Sequence, residues 1–386
     1  MTAVSGHDAL FQPLSIRGLT VPNRIVMSPV NRNAAPGGVP GEDIARFYRR
    51  RVDGETGLIV TGGIGIDHPA ALGVAADRPC NVPTLYGPAL EGWRRVVESV
   101  HEGGGKILPQ LWHQGPMRLP GTGYHPDAVS VRPSGIWGPV GRRCHIEPVY
   151  VARFAEPIPA PSDADLVAIV DAYARTARNA VALGFDGIAI HASNGYLLDS
   201  FLWGETNVRT DRWGGNRRER TRLVVEVIRA VRREAGERLP IFLRFSQWKH
   251  QDLDGQLAAD AAELEEVLGP IADAGVDVFD ASQFTFDAPA FAGDERNLAG
   301  WAKKLTGRLS MTVGSVGLSS GLYDPDAAHP PVAVNNLAAL VQRFERHEFD
   351  LIAVGRSLAH DADWTRKARL GIPFEPYSDA SLRVLN

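Results

Sequence analysis

The sequence contains little cysteine. Cys80 and Cys144 are the two thiols in 386 residues, so neither a disulfide framework nor a CxxC set for zinc or an iron–sulfur cluster can form. His113 and His145 could suggest a metal beside Cys144, but they follow no HExxH spacing and form no cluster of soft ligands. The sequence therefore predicts no metal site and favours a reducing compartment, the cytoplasm.

An excess of charge of one sign is also lacking. The 41 Lys and Arg residues nearly balance the 45 Asp and Glu residues, for a net charge of −4, and no run of like charge suggests a nucleic-acid arm or a membrane-binding patch. No apolar run is long enough to span a bilayer, and residues 1–18 lack a basic segment followed by an apolar one. We therefore expect an unexported, soluble protein with small-molecule partners and no nucleic-acid or membrane partner.

Buried strands that alternate with amphipathic helices are the main feature present. With 44% hydrophobic residues, the chain can bury a large core. The strands read as near-continuous apolar runs, as strands covered on both faces must. We predict them at 25–30, 57–63, 106–113, 188–190, 241–246, 276–282, 310–316 and 350–356. The predicted fold is a (β/α)8 TIM barrel that forms a single domain over residues 1–386.

Helices are predicted between these strands. They cover about 42–51, 88–102, 162–183, 219–235, 259–274, the vicinity of Trp301, and 336–346. Ser162 with Asp165 makes a capping box for the third of them.

A long segment, 114–161, follows the third strand. It contains Trp137, Cys144, His145 and Tyr150. A loop of this length inside a compact domain is usually functional. We therefore expect either a lid or a β-hairpin over the pocket.

The stretch from Gly184 to Arg220 organises the site. Its strand is followed by His191, Asn194 and Tyr196 at the end where barrels carry their chemistry. Residues spaced i and i+3 do not share a face of a regular strand. A turn is therefore predicted over residues 193–195, so that both side chains converge.

This stretch resembles the signature of the old yellow enzyme family, the FMN-dependent ene-reductases built on (β/α)8 barrels. The matching positions are His191, Asn194, Gly195, Tyr196, Leu197, Asn207, Arg209, Asp211, Gly214 and Gly215. The resemblance implies that His191 and Asn194 bind the carbonyl oxygen of the substrate and that Tyr196 donates a proton. Trp213, Asn216 and Glu219 depart from the family's Tyr, Ser and Asn at positions that brace the loop.

The same residues suit alkene reduction chemically. Hydride addition to an activated alkene leaves an enolate, so donors must face an oxygen that gains negative charge. A neutral phenol such as that of Tyr196 can then protonate the α-carbon. Taken alone, His191 could be a core histidine and Tyr196 a packed aromatic residue.

Hydride cannot come from a side chain, so a cofactor is required. The resemblance implies bound FMN, with NADPH or NADH as a transient reductant, an enone or nitro compound as substrate, and a homo-oligomer as an open possibility. The cofactor-binding candidates are Ser28, Pro29, Val30, Asn31, Gly63, Gln110 and Arg244, with Gly314, Ser315, Gly355 and Arg356 at the phosphate. Asn31 replaces the family's usual Thr or Cys near the flavin carbonyl, and Trp112 resembles a residue that lines the substrate pocket.

Three other functions compete with this one. A 2,4-dienoyl-CoA reductase or amine dehydrogenase type is suggested by "IVTGGI", but such enzymes carry an iron–sulfur motif and further domains, whereas this sequence stops at Asn386 with two cysteines. A flavin-free aldolase or isomerase could use His191 and Tyr196 as acid and base, and a flavin-binding module could lack turnover. Phe284, Phe286 and Trp301 lie on a loop that could reach flavin or substrate and are left without a role.

Overall fold

Eight parallel strands close into a barrel. The computed structural model describes residues 8–73 and 79–385. The barrel strands are β3 (Ile25–Met27), β4 (Leu58–Gly65), β5 (Ile107–Trp112), β6 (Ile188–His191), β7 (Ile241–Ser246), β8 (Val278–Ser282), β9 (Leu309–Val313) and β10 (Leu351–Val354). Their order around the barrel is β10-β3-β4-β5-β6-β7-β8-β9. The predicted (β/α)8 barrel is confirmed.

Two short strands that sequence reasoning missed precede the barrel. β1 (Leu14–Ile16) and β2 (Leu19–Val21) form an antiparallel hairpin. Their apolar side chains pack with the inward-facing residues of the barrel strands. The hairpin thus fills the amino-terminal end of the barrel and leaves the carboxyl-terminal end for a site.

Helices surround the barrel. They are α1 (Glu42–Asp53), α2 (Ala89–Glu102), α3 (Pro148–Ala155), α4 (Asp163–Ala182), α5 (Leu197–Leu202), α6 (Arg222–Ala235), α7 (Ala261–Asp273), α8 (Leu298–Thr306), α9 (Leu337–Glu345), α10 (Arg356–His360) and α11 (Trp364–Leu370). The predicted capping box of α4 is confirmed, because Ser162 Oγ accepts from the Asp165 amide and Asp165 Oδ2 accepts from the Ser162 amide. Within the described ranges, no helix combines the length and the apolar character needed to cross a bilayer.

Several predicted strand ends were wrong. β4 runs through both glycines to Gly65, with a register shift against β5 between Val60 and Gly63. β3, β9 and β10 stop earlier than predicted, at Met27, Val313 and Val354. The residues beyond them leave the sheet because they line the mouth of the barrel.

The insertion 114–161 follows β5. In its described backbone it forms one 3-10 turn, Gly115–Met117, and α3. It contains no strand, so the β-hairpin alternative was wrong. Trp137 and Phe154 stack with ring centroids 5.7 Å apart, which gives the insertion a small core of its own.

Candidate active site

A cavity of about 390 Å³ opens at the carboxyl-terminal ends of the barrel strands. Fifteen residues were predicted for cofactor or substrate, and all of them line it. They are Ser28, Pro29, Val30, Asn31, Gly63, Gln110, Trp112, His191, Asn194, Tyr196, Arg244, Gly314, Ser315, Gly355 and Arg356. Residues spread over more than 300 sequence positions thus share one site.

A tight turn places the three catalytic candidates. His191 is the last residue of β6, and Asn194 and Gly195 follow with positive φ angles of 61° and 82°. The amide of Asn194 donates to Ser246 Oγ at 2.8 Å. The predicted irregular backbone is therefore confirmed, and it turns Tyr196 back toward His191.

A buried ion pair supports this turn. Asp199 Oδ2 accepts from the Gly195 amide at 2.6 Å, and Lys249 Nζ donates to Asp199 Oδ1 at 2.8 Å. Both charged side chains are completely buried. Burial raises the pKa of Asp199 and lowers that of Lys249, while the charge of each partner opposes the shift. Each residue therefore depends on the other to stay ionised.

The oxygen-binding candidates are uncharged polar side chains. Burial, with the charge of Arg244 as a smaller cause, lowers the pKa of His191 to about 3, so its ring is neutral near pH 7. Asn194 Oδ1 accepts from Ser193 Oγ at 2.7 Å, whereas Asn194 Nδ2 is buried and lacks a partner among the described residues. A buried donor without a partner is costly unless a ligand accepts from it.

Tyr196 lies between aromatic rings. Its ring is edge-on to Trp112 and to His191, each at a centroid distance of 4.9 Å. Burial raises the pKa of the phenol, and the nearby Tyr323 adds to the shift. Tyr196 therefore keeps its proton near neutral pH and has one to give.

An arginine crosses the floor of the cavity. Arg244 Nη2 donates to Ser28 Oγ at 2.9 Å, and Arg244 Nε donates to Asp280 Oδ2 at 2.6 Å. Asp280 is buried, and its position one strand over from Arg244 in the β7–β8 register explains the pair. Burial raises the pKa of Asp280, and Arg244 opposes that shift. Asp280 was not predicted, because nothing in the sequence of its strand indicates that it pairs with Arg244.

Another part of the cavity is formed by the loops after β9 and β10. Gly314 has a φ of 127°, and a Cβ there would lie 2.7 Å from the carbonyl oxygen of Gln283. Gly355 precedes α10, and Arg356 donates from Nη2 to the Ser320 carbonyl at 2.6 Å. Phosphate sites of barrels are typically formed by these two loops and the start of a short helix.

The sequence profile of the NADH:flavin oxidoreductase / NADH oxidase family matches residues 9–375. The chain belongs to this family. The predicted relationship to the old yellow enzymes is thereby confirmed, and members of the family bind FMN and use NAD(P)H as reductant.

Individual relatives of this flavin oxidoreductase family agree with that assignment. The flavin oxidoreductase hxnT of Emericella nidulans is 35% identical over 251 residues, covering 63% of this chain and 61% of that protein. The 12-oxophytodienoate reductase 7 of Oryza sativa subsp. japonica is 35% identical over 224 residues, covering 58% and 54% respectively. In these matches the chain covers about three fifths or less of the relative's length.

Solved structures of the family share the fold. Morphinone reductase superimposes with a TM-score of 0.76 at 25% identity, covering 99% of this chain and 94% of that chain. The old yellow enzyme homologue from Zymomonas mobilis gives a TM-score of 0.77 at 24% identity, covering 97% and 96%. The second similarity shows the fold alone.

The residues that line the cavity fit FMN. Gln110 Nε2 is buried at the cavity and lacks a partner among the described residues, so a hydrogen-bonding ring edge would satisfy it. Arg244, which is paired with Asp280, lies on the same floor, and its guanidinium would stabilise negative charge on a reduced flavin. Gly314, Gly355 and Arg356, in the loops after β9 and β10, suit the phosphate.

Gly63 keeps a flat wall beside Gln110. A Cβ there would lie 2.6 Å from Trp112 Cε3, so Gly63→Ala must displace the indole that packs on Tyr196. We expect a stability loss of about 1–3 kcal/mol, as for other overpacked sites, and weaker FMN binding. Thermal unfolding and an FMN titration would check this, with Gly269→Ala as control because no atom outside its own part of α7 lies within 4 Å of a Cβ there. Equal behaviour of the two variants would contradict the prediction.

Other cavity residues were missed. Trp248 and His250 follow β7, and Tyr323 lies in the loop after β9. Trp248 and His250 could have been found, because they lie just beyond a strand end where barrel sites form. Phe284, left without a role, does not line the cavity but stacks on Trp248 with ring centroids 4.8 Å apart.

The remaining unassigned residues belong to the core or to hydrogen-bonded turns. Phe286 and Trp301 are buried outside the cavity lining. His113 is buried, and its Nδ1 accepts from the Gly115 amide at 3.0 Å. Across the two described ranges, no group of three or more His, Cys, Asp or Glu residues is placed to hold a metal ion.

The positions that depart from the family signature brace the loop as predicted. Asn216 and Glu219 cap each other, since each amide donates to the other's side-chain oxygen, at 2.8 and 2.9 Å. Trp213 Nε1 donates to Asp163 Oδ1 at 2.7 Å.

Buried neutral histidines predict acid sensitivity. Burial holds the pKa of His113 well below 6.5, so the unfolded chain binds a proton below that pH while the folded protein does not, and stability falls with pH. From about pH 7 to about pH 5.5, we expect His113 to account for about 1 kcal/mol of lost stability. Urea unfolding at both pH values, in wild type and His113→Gln, would check this. An equal loss in both proteins would contradict it.

Proposed function

We propose that this chain is an NAD(P)H-dependent, FMN-containing ene-reductase that reduces the activated C=C bond of α,β-unsaturated carbonyl or nitro compounds. The observation that carries the proposal is that two uncharged polar side chains, those of His191 and Asn194, line the same cavity. His191 is neutral through burial, and the buried Asn194 Nδ2 has no partner among the described residues. Together they suit an oxygen that becomes negative as the alkene is reduced.

The protein's own groups supply binding and proton transfer. His191 and Asn194 hold the substrate oxygen, and the rigid turn fixes them because Asp199 holds the Gly195 amide. Tyr196 gives its phenolic proton to the α-carbon, and the tyrosinate that remains takes up a proton from solvent. Trp112 packs against Tyr196 and His191 and holds both rings in place.

FMN, when bound, supplies the hydride chemistry between NAD(P)H and the alkene. Ser28, Gln110 and Arg244 would hold its ring. Its phosphate would be held by Gly314, Ser315, Gly355 and Arg356. Residues 29–31 and Gly63 would lie along the flavin ring. These assignments rest on the cavity lining and on the unsatisfied Gln110 amide.

The competing functions have less support. A flavin-free aldolase or isomerase with His191 and Tyr196 as acid and base would leave the buried Gln110 Nε2 without a partner among the described residues. Among those residues, no lysine lines the cavity to form a Schiff base. The proposal also keeps one FMN-binding domain over the whole chain, with residues 114–161 as its lid. His145 of that segment contacts His250, which lines the cavity.

An anaerobic titration tests the proposal. The purified protein should be yellow, lose its flavin absorbance with one equivalent of NADPH or NADH, and regain it with one equivalent of 2-cyclohexenone. A colourless protein would favour the aldolase or isomerase. A flavin that no nicotinamide reduces would indicate a binding module, and a reduced flavin that the enone never reoxidises would exclude ene-reduction.

A further inference from the structure

Asp280 is a buried carboxylate behind the cavity lining, and no step of the proposed reaction uses it. The strand register places it beside Arg244, which in turn lies beside His191 on the neighbouring strand. The Asp280 side chain is 4% exposed and is not part of the lining, whereas Arg244 is. Asp280 therefore acts on a ligand in the cavity only through Arg244.

Asp280 and Ser28 hold the guanidinium of Arg244 in one orientation. Arg244 Nε donates to Asp280 Oδ2 at 2.6 Å, and Nη2 donates to Ser28 Oγ at 2.9 Å. No hydrogen bond within the described residues uses Nη1, which is left for a ligand. A hydrogen bond between two ionised groups is short and strong. The carboxylate therefore fixes the plane of the guanidinium and the direction of its remaining N–H groups.

Arg244 is the partner of the Asp280 carboxylate among the described residues. The second carboxylate oxygen, Oδ1, is buried and accepts no hydrogen bond from that part of the chain. A buried charged group that is only partly hydrogen-bonded costs stability. A contribution to fold stability thus explains this arrangement poorly, whereas an effect on the charge and position of Arg244 explains it directly.

The Arg244–Asp280 pair determines the charge that the cavity floor presents. In the described lining, Arg244 and Arg356 are the charged residues, and Asp280 is a carboxylate that hydrogen-bonds the first of them. Interactions between charges are strong in a buried site. A negative charge behind Arg244 therefore offsets part of its attraction for a reduced flavin ring, which carries negative charge. The oxidised ring is uncharged, so its binding is affected little.

We propose that Asp280 is a positioning residue that acts on bound FMN through Arg244. It orients the guanidinium, and its charge keeps the reduction potential of the flavin lower than an unpaired Arg244 would. A lower potential makes the reduced flavin a stronger hydride donor to the alkene and the oxidised flavin a weaker hydride acceptor from NAD(P)H. The inference rests on the proposed function and adds to it a residue that sets the balance between the two half-reactions.

The two-electron reduction potential of bound FMN tests this inference. It would be measured against reference dyes in wild type, Asp280→Asn, Asp280→Ala and a control, Asp277→Asn. Asp277 is also a buried carboxylate paired with an arginine, but it precedes β8 at the amino-terminal end of the barrel. We expect Asp280→Asn to favour reduced over oxidised flavin about tenfold, a rise of about 30 mV for a two-electron couple. The control should match wild type.

FMN binding and the half-reactions separate charge from position. Asn keeps an oxygen for Arg244 Nε, so the Kd of oxidised FMN in Asp280→Asn should match wild type, whereas Asp280→Ala should raise it. Asp280→Asn should also speed flavin reduction by NAD(P)H and slow reoxidation by 2-cyclohexenone. Damage to the fold would instead slow both half-reactions.

An unchanged or lower potential in Asp280→Asn, an equal rise in Asp277→Asn, or an equal slowing of both half-reactions would overturn the inference. If Asp280→Asn does not fold, the potential of Asp280→Ala decides, and its failure to rise overturns the inference. A wild type that binds FMN but does not reduce the enone refutes the proposed function alone, because the potential is measured without an alkene. A wild type that binds no FMN refutes both.

Discussion

Replacement of Tyr196 by Phe is expected to slow alkene reduction about 10²- to 10⁴-fold, the usual contribution of a positioned general acid. The phenol keeps its proton because burial raises its pKa, and Phe removes that proton while it preserves the packing on Trp112 and His191. The reduction of bound FMN by NAD(P)H needs no proton from this side chain, so we expect its rate to be unchanged.

Stopped-flow absorbance of the two half-reactions would check the Tyr196 prediction. Tyr86→Phe is a matched control, because Tyr86 lies outside the cavity lining and loses the same hydroxyl. We expect the control to match wild type in both half-reactions. An equal loss of flavin reduction and alkene reduction in Tyr196→Phe would show a structural rather than a proton-donating role.

Replacement of Lys249 by Met is expected to lower the free energy of unfolding by about 3–5 kcal/mol, the cost of removing one partner of a buried ion pair and leaving the other without a counter-charge. Met fills a similar volume, but Asp199 then either stays charged without a partner or takes up a proton. In both cases the hydrogen bond that Asp199 accepts from the Gly195 amide weakens. Because that amide precedes Tyr196, alkene reduction should fall as well.

Denaturant unfolding of the FMN-loaded protein would measure this loss. The double variant Asp199→Asn with Lys249→Met offers a control, since Asn keeps a side-chain oxygen for the Gly195 amide and removes the buried charge. We expect the double variant to be more stable than Lys249→Met alone. A single variant within about 1 kcal/mol of wild type would contradict a supporting role for the pair, given the usual cost of breaking one.

The fold could be predicted because the barrel strands are apolar on both faces and alternate with amphipathic helices. The fifteen cavity residues could be predicted mainly because the sequence resembles the old yellow enzyme family, and they lie within or just after the barrel strands at the end where barrel sites form. The side-chain contacts that support these residues could not be predicted. Lys249 meets Asp199 across 50 positions, and His145 meets His250 across 105, through contacts that only packing of separate loops creates.

Local detail was lost for similar reasons. Gly62 and Gly63 look like a strand end in sequence, yet β4 continues to Gly65 because the neighbouring strand β5 supplies partners on that side. The short strands β1 and β2 carry too few residues for a periodic pattern. Asp280 lies within an apolar strand, and its role depends on the register that sets it beside Arg244.

A crystal structure of the FMN-loaded protein with bound phenol tests the central claim most directly. We expect the flavin ring on Gln110 and Arg244, with the phenol oxygen within hydrogen-bonding distance of the His191 ring and of Asn194 Nδ2. A cavity that holds no flavin, or a phenol whose oxygen contacts neither His191 nor Asn194, would contradict it.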